Sequence, residues 1–565
     1  MTRSLPSNPN IGLLKKQAKK LLKQAREGNT DALAAIVSNH PRPEAFAGLR
    51  DAQLVIARKY GFAGWSELSE AIELAIDGEK DLTDKATLFI QLGCVQYRGN
   101  DRLRNYQRAG KLLAAYPEIA EFSFYTALVA SNAKAVSKFL EPDSTLATVS
   151  GGPLSLPALL YVLYSRIDEP QGKQDSLSIV KMLLENGANP NSAVLLNDTY
   201  RFTALTGAMG EGEQGVNQPP HQYADQIATL LLDAGANPNE GQGLYNTMFT
   251  DSADKWLALL ISKGLNSNDK LNWDNTSDDK QTTLDYQLSS AVDNNRHSRV
   301  SLLLNAGANP GACSSYNGRA VHTNALLAGH SEIAQLLEKS GAIAEDLNFK
   351  DQFKLACVSE DYDAISTHIA SHPELIEDTE LLHAAAEHAS LEVVKKLIAH
   401  GFDIDGKSKH GRTLLHQCAM KNDTTPIKEL LKLGARIDIE DCSYNSIPAG
   451  FAAYCGSYRA MRLLLNASDS LLHAVCCNYL EKAKALAEKN PDLIHETTKQ
   501  GNTVLHLVGY WLHDEPDYDT YKALTDYMIS AGANINLKNN DGQTPIEFHI
   551  ANGYDTLAEL LSEYS

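Results

Sequence analysis

Histidine is the residue type in this sequence that most readily suggests chemistry, because an imidazole binds metal ions and moves protons near neutral pH. Five histidines share one sequence position, the end of a tetrapeptide that is Thr-x-Leu-His or a variant of it: His322, His383, His416, His473 and His506. Equivalent positions on successive packed helical units lie about 10 Å apart, whereas a zinc ion needs its ligands about 2 Å away. The pattern therefore predicts structural histidines and no metal site.

Signatures of common enzymes are missing from the sequence. No phosphate-binding GxxxxGK[ST], zinc-protease HExxH or serine-hydrolase GxSxG occurs. The glycine-dense stretch GAMGEGEQG (207–215) lacks the lysine of a phosphate loop, has no predicted strand before it, and carries acidic side chains that repel phosphate. The eight cysteines have no CxxC spacing, which is typical of reduced thiols. We therefore expect no catalytic activity, no cofactor and no small-molecule substrate.

One ten-residue element recurs along the sequence. LLLDAGANPN (230–239) is nearly repeated as MLLENGANPN (182–191) and LLLNAGANPG (302–311). Its leucines are typical of the last turn of an amphipathic helix, and its glycine is typical of the left-handed residue that ends a helix. The glycine recurs, in places every 33 or 34 residues, at Gly187, Gly235, Gly264, Gly307, Gly341, Gly401, Gly434 and Gly532. Each unit is therefore predicted to be a short helix, a connection, a longer helix and a glycine-ended loop, stacked as in a solenoid.

The period, the Thr-x-Leu-His motif and the GANPN ending resemble the ankyrin repeat, most closely in GRTLLHQCAMKNDTTPIKELLKLGARIDIED (411–441). The resemblance implies an all-α ankyrin-repeat solenoid of about 13–14 repeats over residues 79–565. The repeats are clearest at 180–345 and 379–565 and degenerate at 86–150. The resemblance also implies that the motif histidines hydrogen-bond backbone and hydroxyl groups where each first helix starts.

Residues 1–78 are predicted to form a separate helical module, because DAQLVIARKYGFAGW (51–65) resembles a module that precedes ankyrin arrays in many bacterial proteins. Residues 1–26 hold seven basic side chains and no acidic one, so with a net charge of −19 the remainder carries about −26. Such acidity argues against nucleic acid as a ligand. An apolar stripe in the basic helix favours its packing on the module, while an adaptor role at a membrane or on nucleic acid stays an alternative: Leu14, Ala18, Leu21, Leu22 and Ala25.

Ankyrin arrays usually bind protein partners in a concave groove of turn tips and first helices, so the resemblance implies a non-catalytic scaffold for protein–protein interaction. The turn-tip residues expected to contact the partner carry both charge signs: Lys407, Lys409, His410, Glu440, Asp441, Tyr444, Thr498, Lys499, Gln500, Lys538, Asn539 and Asn540. Insertions between the two helices of a repeat are a second candidate binding edge: 165–175, 210–225, 293–298 and 512–520.

The compartment follows from what the sequence lacks. No run of 18 apolar residues and no secretory signal is present, which favours a cytoplasmic protein without a transmembrane segment. A bacterial effector that is delivered into a host cell and captures a host protein stays an alternative.

Overall fold

The computed structural model describes residues 5, 9–46, 48–98, 101–169, 175–212, 215–249, 254–271, 281–512 and 518–564. Helices dominate these residues, and the named strands form two short antiparallel hairpins. The protein divides into two compact units, unit 1 with residues 1–326 and 330–345, and unit 2 with residues 327–329 and 346–565. The predicted all-α fold class is confirmed.

Unit 1 begins with four helices: α1 (Ile11–Arg26), α2 (Thr30–Asn39), α3 (Leu49–Lys59) and α4 (Trp65–Gly78). The side chain of Asn10 caps α1 by accepting hydrogen bonds from the amides of Gly12 and Leu13 at 2.8 and 3.2 Å. The apolar stripe of α1 is buried at Leu14, Ala18, Leu21 and Leu22, and α1 packs against α3. The predicted packing of the basic helix is confirmed, whereas its separation as a module ending at residue 78 stays a prediction.

The rest of unit 1 consists of helix pairs. A longer pair, α5 (Leu82–Gly93) and α6 (Leu103–Ala115), is followed by the short α7 (Ile119–Phe122). Six pairs then follow in order: α8 (Phe124–Val129) with α9 (Ala133–Leu140), α10 (Ala158–Tyr164) with α11 (Asp175–Glu185), α12 (Ala204–Met209) with α13 (Ala224–Asp233), α14 (Gly241–Asn246) with α15 (Asp254–Ser262), α16 (Thr283–Asp293) with α17 (His297–Asn305), and α18 (Val321–Leu327) with α19 (Ser331–Lys339).

Two of the turns between pairs in unit 1 are β-hairpins. β1 (Ser150–Gly151) pairs with β2 (Leu156–Pro157), and β3 (Ala193–Leu196) pairs with β4 (Tyr200–Thr203). β4 therefore precedes the glycine-dense stretch at 207–215, so the expectation that no strand lies before it was wrong. Thr203 caps α12 directly after the strand by accepting from the Thr206 amide at 3.2 Å, so the first three residues of the glycine-dense stretch, 207–209, belong to a repeat helix.

Unit 2 has seven repeats, six of them complete helix pairs: α20 (Phe349–Val358) with α21 (Tyr362–Ser371), α22 (Thr379–His388) with α23 (Leu391–Ala399), α24 (Leu414–Met420) with α25 (Thr424–Lys432), α26 (Pro448–Tyr454) with α27 (Tyr458–Asn466), α28 (Leu471–Cys476) with α29 (Leu480–Lys489), and α31 (Pro545–Ala551) with α32 (Asp555–Ser562). In the remaining repeat the described residues form only the second helix, α30 (Tyr518–Ser530). With the six pairs of unit 1 these make thirteen repeats, or fourteen if α5 and α6 count, in agreement with the prediction.

The helix expected at 503–510 does not form, and this stretch consists of consecutive turns. Gly509 has a φ of 65°, and a Cβ at this position would lie 1.8 Å from a ring atom of Tyr521. The amides of Gly509 and Trp511 donate to the carbonyls of Val475 and Cys476 in the preceding repeat. Hydrogen bonds to a neighbouring repeat thus replace those of a helix.

The recurring glycines adopt the predicted left-handed conformation. Gly235 has a φ of 97°, and the φ angles of all eight glycines of the recurring element lie between 85° and 112°. In the opening element the Ala236 amide then donates to the Leu231 carbonyl at 2.9 Å, which closes the end of α13 while the Leu231 side chain is fully buried. The glycine therefore ends the helix and directs the backbone outward into the next turn.

Buried apolar side chains form separate cores. One core in unit 1 extends from Phe89 to Leu337. Unit 2 has two, one from Phe353 to Cys477 and a smaller one from Leu471 to Leu561. Stacked repeats bury each other's helix faces, as a solenoid requires.

Candidate functional site

Three turns of unit 2 approach one another and line a cleft of about 800 Å³, which we call the turn-tip groove. They are residues 402–412, 435–446 and 496–502. The Lys407 Nζ donates to the Glu440 carbonyl at 2.9 Å, and the amide of Arg436 donates to Asp405 Oδ1 at 2.9 Å. Hydrogen bonds thus join the first two turns, and Lys499 lines the same cleft from the third.

Each of these turns is closed by its own backbone. In the first, the amide of Gly411 donates to the Ser408 carbonyl at 2.7 Å, and the amide of Ser408 donates to the Arg412 carbonyl at 2.8 Å. Thr498, Gly501 and Asn502 repeat this arrangement in the third turn. The backbones are therefore fixed before any partner arrives, which lowers the entropic cost of binding.

Most of the predicted tip residues are exposed on these turns and on the turn at 533–544: Lys407, Lys409, His410, Glu440, Tyr444, Lys499, Gln500, Lys538 and Asn540, with Thr498 half-buried. The last turn joins the third because the Asn540 amide and side chain donate to the carbonyls of Gln500 and Lys499, each at 2.9 Å. Binding by these residues stays a prediction.

Two of the predicted tip residues are buried instead. Asp441 is 2% exposed, and its Oδ1 accepts from the amides of Tyr444 and Ser446 at 3.1 and 2.9 Å. Asn539 is 6% exposed and donates from Nδ2 to Asn502 Oδ1 at 2.9 Å. Both side chains hold a turn in shape, so the placement of these two residues at an exposed tip was wrong.

The sequence predicted Tyr444 as a tip residue but did not predict the aromatic cluster that Tyr444 forms with α26 beside the groove. Tyr444 and Tyr454 are stacked at a centroid distance of 6.5 Å and are 69% and 62% exposed. The centroid of the Phe451 ring lies 6.1 Å from that of Tyr444. The Arg412 guanidinium lies over the Phe451 ring, with its Cζ 4.5 Å from the centroid. Two exposed thiols, Cys442 and Cys455, belong to the same turn and helix end. The available signal was the repeat at 447–457, where Ile-Pro-Ala-Gly replaces the usual motif and two aromatic residues follow it.

The motif histidines are structural where their contacts are complete. The Thr413 amide donates to His416 Nδ1 at 3.1 Å, and His416 Nε2 lies 2.9 Å from the Ser446 carbonyl. His506 makes the same contacts with Thr503 and with the Gln543 carbonyl. Burial lowers the pKa of both imidazoles, so they stay neutral at pH 7. This confirms the implied role for these two residues.

The other motif histidines differ. His383 Nε2 lies 3.0 Å from the Gly406 carbonyl, as expected, but its Nδ1 faces the Gln417 side chain. His322 Nε2 instead contacts Glu338 Oε1 at 2.9 Å, and its buried Nδ1 has no partner among the described residues. The described residues bring together no group of three or more histidine, cysteine or acidic side chains that could hold a metal ion.

The insertions of unit 1 pack on the body of the unit. The Tyr106 hydroxyl donates to the Asn217 carbonyl at 2.8 Å, Gln218 donates to Asp101 at 2.8 Å, and Arg166 Nε donates to the Pro219 carbonyl at 2.7 Å. Residues 165–169 and 219–222 line one cleft of about 930 Å³. Residues 170–174, 213–214 and 513–517 of the predicted insertions lie outside the described residues.

Across the described part of the protein, every helix is too short or too polar to cross a membrane.

Comparison with known proteins identifies the repeats. The family model for ankyrin repeats matches residues 353–441 and 381–470, which include two turns of the groove. The human SH3 and multiple ankyrin repeat domains protein 2 is 28% identical over 199 residues, which cover 33% of this chain and 10% of that protein. The Caenorhabditis elegans homolog of transient receptor potential cation channel subfamily A member 1 is 25% identical over 193 residues, 32% of this chain and 15% of that protein.

A solved ankyrin repeat domain from Acinetobacter baumannii is also similar, with 23% identity and a TM-score of 0.24 over 33% of this chain and 98% of that chain. The matches thus span a small part of the length of the curated relatives and about a third of this chain.

Proposed function

The chain is an ankyrin-repeat protein, and we propose that it is a non-catalytic scaffold that binds a partner protein in the turn-tip groove. Ankyrin repeats are generally modules for protein–protein interaction. The proposal depends chiefly on one observation, which is that the turns share a cleft, have fixed backbones and present exposed side chains of both charge signs. Such a mixed surface beside exposed tyrosines suits a protein better than a phosphate backbone.

The test is crosslinking in cells that express the full-length protein, followed by identification of the captured partners. The wild type is compared with a variant in which the charge of the groove is reversed. In the Lys407→Glu/Lys409→Glu variant, both substituted side chains are exposed on the first turn. We expect this variant to recover at least about tenfold less of the main crosslinked protein, because groove charges set partner choice and encounter rate. The recovered amount is measured by quantitative mass spectrometry.

A matched control reverses two charges away from the groove. Lys428→Glu/Lys432→Glu changes the net charge by the same amount on the exposed side of α25. We expect normal recovery from this control. Equal recovery from the groove variant and the wild type would exclude the groove as the binding site.

A further inference from the structure

Arg412 makes unusually few polar contacts for a guanidinium. Its plane lies over the Phe451 ring at 4.5 Å, and Nη1 donates to the Met420 sulfur at 3.9 Å. The Nε is buried and has no acceptor among the described residues. A guanidinium has five N–H donors, and a thioether is a weak acceptor, so most of its hydrogen-bonding capacity is unused.

The nearby carboxylate does not neutralise this cation in the structure. Asp441 Oδ1 accepts from two backbone amides of its own turn, and the described ion pairs join Asp441 to no arginine. Both charges act on the buried His416: burial lowers its imidazole pKa most, while Asp441 raises that pKa and Arg412 lowers it further. The Arg412 guanidinium, at the end of the first turn of the groove, thus makes no ion pair with a carboxylate among the described residues.

Apolar walls surround this cation. The exposed fraction is 69% for Tyr444, 62% for Tyr454 and 42% for Met420. Tyr444 packs against Phe451 and Tyr454, and the Met420 sulfur contacts the Arg412 guanidinium. Exposed tyrosine and arginine side chains together are typical of the residues that dominate binding energy at protein interfaces. Stacking on Phe451 also fixes the plane of the guanidinium before binding.

We propose that Arg412 and the Tyr444–Tyr454 pair form a subsite for a partner segment that presents a carboxylate beside an aromatic or large aliphatic side chain. The inference depends on the proposed function, since it describes what the groove recognises. The carboxylate accepts two N–H groups of the guanidinium, and the neighbouring apolar side chain packs against the exposed faces of the two tyrosines. An Asp or Glu side chain and the terminal carboxylate of a polypeptide supply the same chemistry.

The test uses the full-length protein on an array of 12-residue peptides. Each peptide carries Glu or Gln next to Leu or Phe, with an amidated C-terminus, and a parallel set carries Gln and ends in a free carboxylate. We expect Glu peptides to bind about tenfold more tightly than their Gln counterparts, which corresponds to about 1.4 kcal/mol. The set with the free C-terminus reports whether a terminal carboxylate serves equally.

Variants separate the two parts of the subsite. Arg412→Gln is expected to reduce the Glu-to-Gln binding ratio to about one, and Arg412→Lys to leave an intermediate ratio, because lysine lacks the planar fork. Tyr454→Ala is expected to weaken all peptides about tenfold while keeping the ratio. The matched control is Arg462→Gln, an exposed arginine of α27 that lies over the Tyr479 ring at 6.0 Å and does not line the groove, and it should keep the wild-type ratio.

Four results would overturn the subsite. Three are a wild-type ratio near one, an unchanged ratio in Arg412→Gln, and binding of no peptide by the wild type. The fourth is a purely structural role, in which Arg412→Gln and Asp441→Asn lower the melting temperature equally and neither changes the ratio. The proposed function is judged separately, by crosslinking with the Lys407/Lys409 variant, so either idea can fail alone.

Discussion

His549 shows how a titratable side chain becomes part of the repeat architecture. It is fully buried in α31, its Nε2 lies 3.2 Å from the Leu505 carbonyl of the preceding repeat, and its Nδ1 has no partner among the described residues. Burial lowers its pKa to about 4, and the nearby His506 adds to this effect. The side chain is therefore built to stay neutral, and its protonation opposes folding.

We expect the last repeats to lose stability in acid because of this residue. A depressed pKa means that the unfolded state binds more protons below its ordinary pKa of 6.5, so the stabilisation is complete above pH 6.5 and is lost as the pH falls toward 4. The loss amounts to about 3 kcal/mol at pH 4. Urea unfolding between pH 7 and pH 4, followed by circular dichroism, measures the slope.

The matched variant is His549→Gln, which keeps a polar side chain and removes the titration. Its free energy of unfolding should depend less steeply on pH across the same window, although it is lower at pH 7. Identical slopes for the two proteins would show that other groups, such as carboxylates, cause the acid sensitivity.

At the scale of one residue, the sequence predicted which residues lie on the turns better than it predicted which of those side chains are exposed. The tips at Lys407, Lys409 and Lys499 are exposed as expected, because period and glycine position determine where a turn projects. Asp441 was misplaced because a hydrogen bond within its own turn draws it inward, and Asn539 because a hydrogen bond to Asn502 of the neighbouring turn does the same; spacing reveals neither bond. The aromatic cluster was missed because its three rings lie on one turn and the helix that follows it, where spacing alone does not show that the rings meet, and because Arg412 joins them from another turn only in the folded unit.

At the scale of the element, glycine has two separate uses in the turns. At Gly434, which ends α25, φ is 96° and an added Cβ would meet no atom within 4 Å, so only the backbone conformation requires glycine. At Gly411, φ is 73° and an added Cβ would lie 2.3 Å from the sulfur and 2.5 Å from the amide nitrogen of Cys442. Here glycine also allows two neighbouring turns to touch.

This difference predicts two unequal substitutions. Gly434→Ala should cost about 1 kcal/mol of stability, the usual penalty of a left-handed alanine. Gly411→Ala should cost more, about 3 kcal/mol, because the adjacent turn must move as well. Thermal or urea unfolding of both variants gives the comparison, and Gly434→Asn, which tolerates the conformation, should lie closer to wild type. Equal losses for the two alanine variants would contradict the close contact between the turns.

Elements were predicted well where periodic leucines and a glycine cap agree. The eight recurring glycines all end helices in the expected conformation. The run at 503–510 failed although it contains Thr-x-Leu-His, because Gly509 packs against Tyr521 and the amides bond to the preceding repeat. Contacts between repeats override a local helix signal, and such contacts cannot be read from one repeat alone.

At the scale of the whole molecule, discontinuous cores predict separate unfolding steps. The smaller core of unit 2, from Leu471 to Leu561, has fewer buried side chains than the first core and includes the repeat in which the described residues form no first helix. We expect amides in α28–α32 to lose hydrogen-exchange protection at lower urea than those in α20–α25. Mass spectrometry of the exchanged peptides resolves the two groups.

A cavity variant sharpens this test. Leu524 is fully buried in the smaller core, and Leu524→Ala should lower protection in α28–α32 by about 3 kcal/mol while leaving α20–α23 nearly unchanged. One common transition for all helices of unit 2, lowered equally by the variant, would show that the two cores unfold together.

The exposed thiols beside the aromatic cluster are native sites at which a fluorophore can be attached to the groove. Burial raises the pKa of Cys418 to about 11 and that of Cys357 to about 12, so these two react slowly with maleimides at pH 7. Cys442 and Cys455 are exposed, and among the other described residues the remaining exposed cysteine is Cys313 of unit 1. In a Cys313→Ser protein the exposed Cys442 therefore accepts a fluorophore at the groove itself, while burial raises the pKa of the Cys455 thiol and slows its reaction. The emission then reports occupancy without any introduced cysteine.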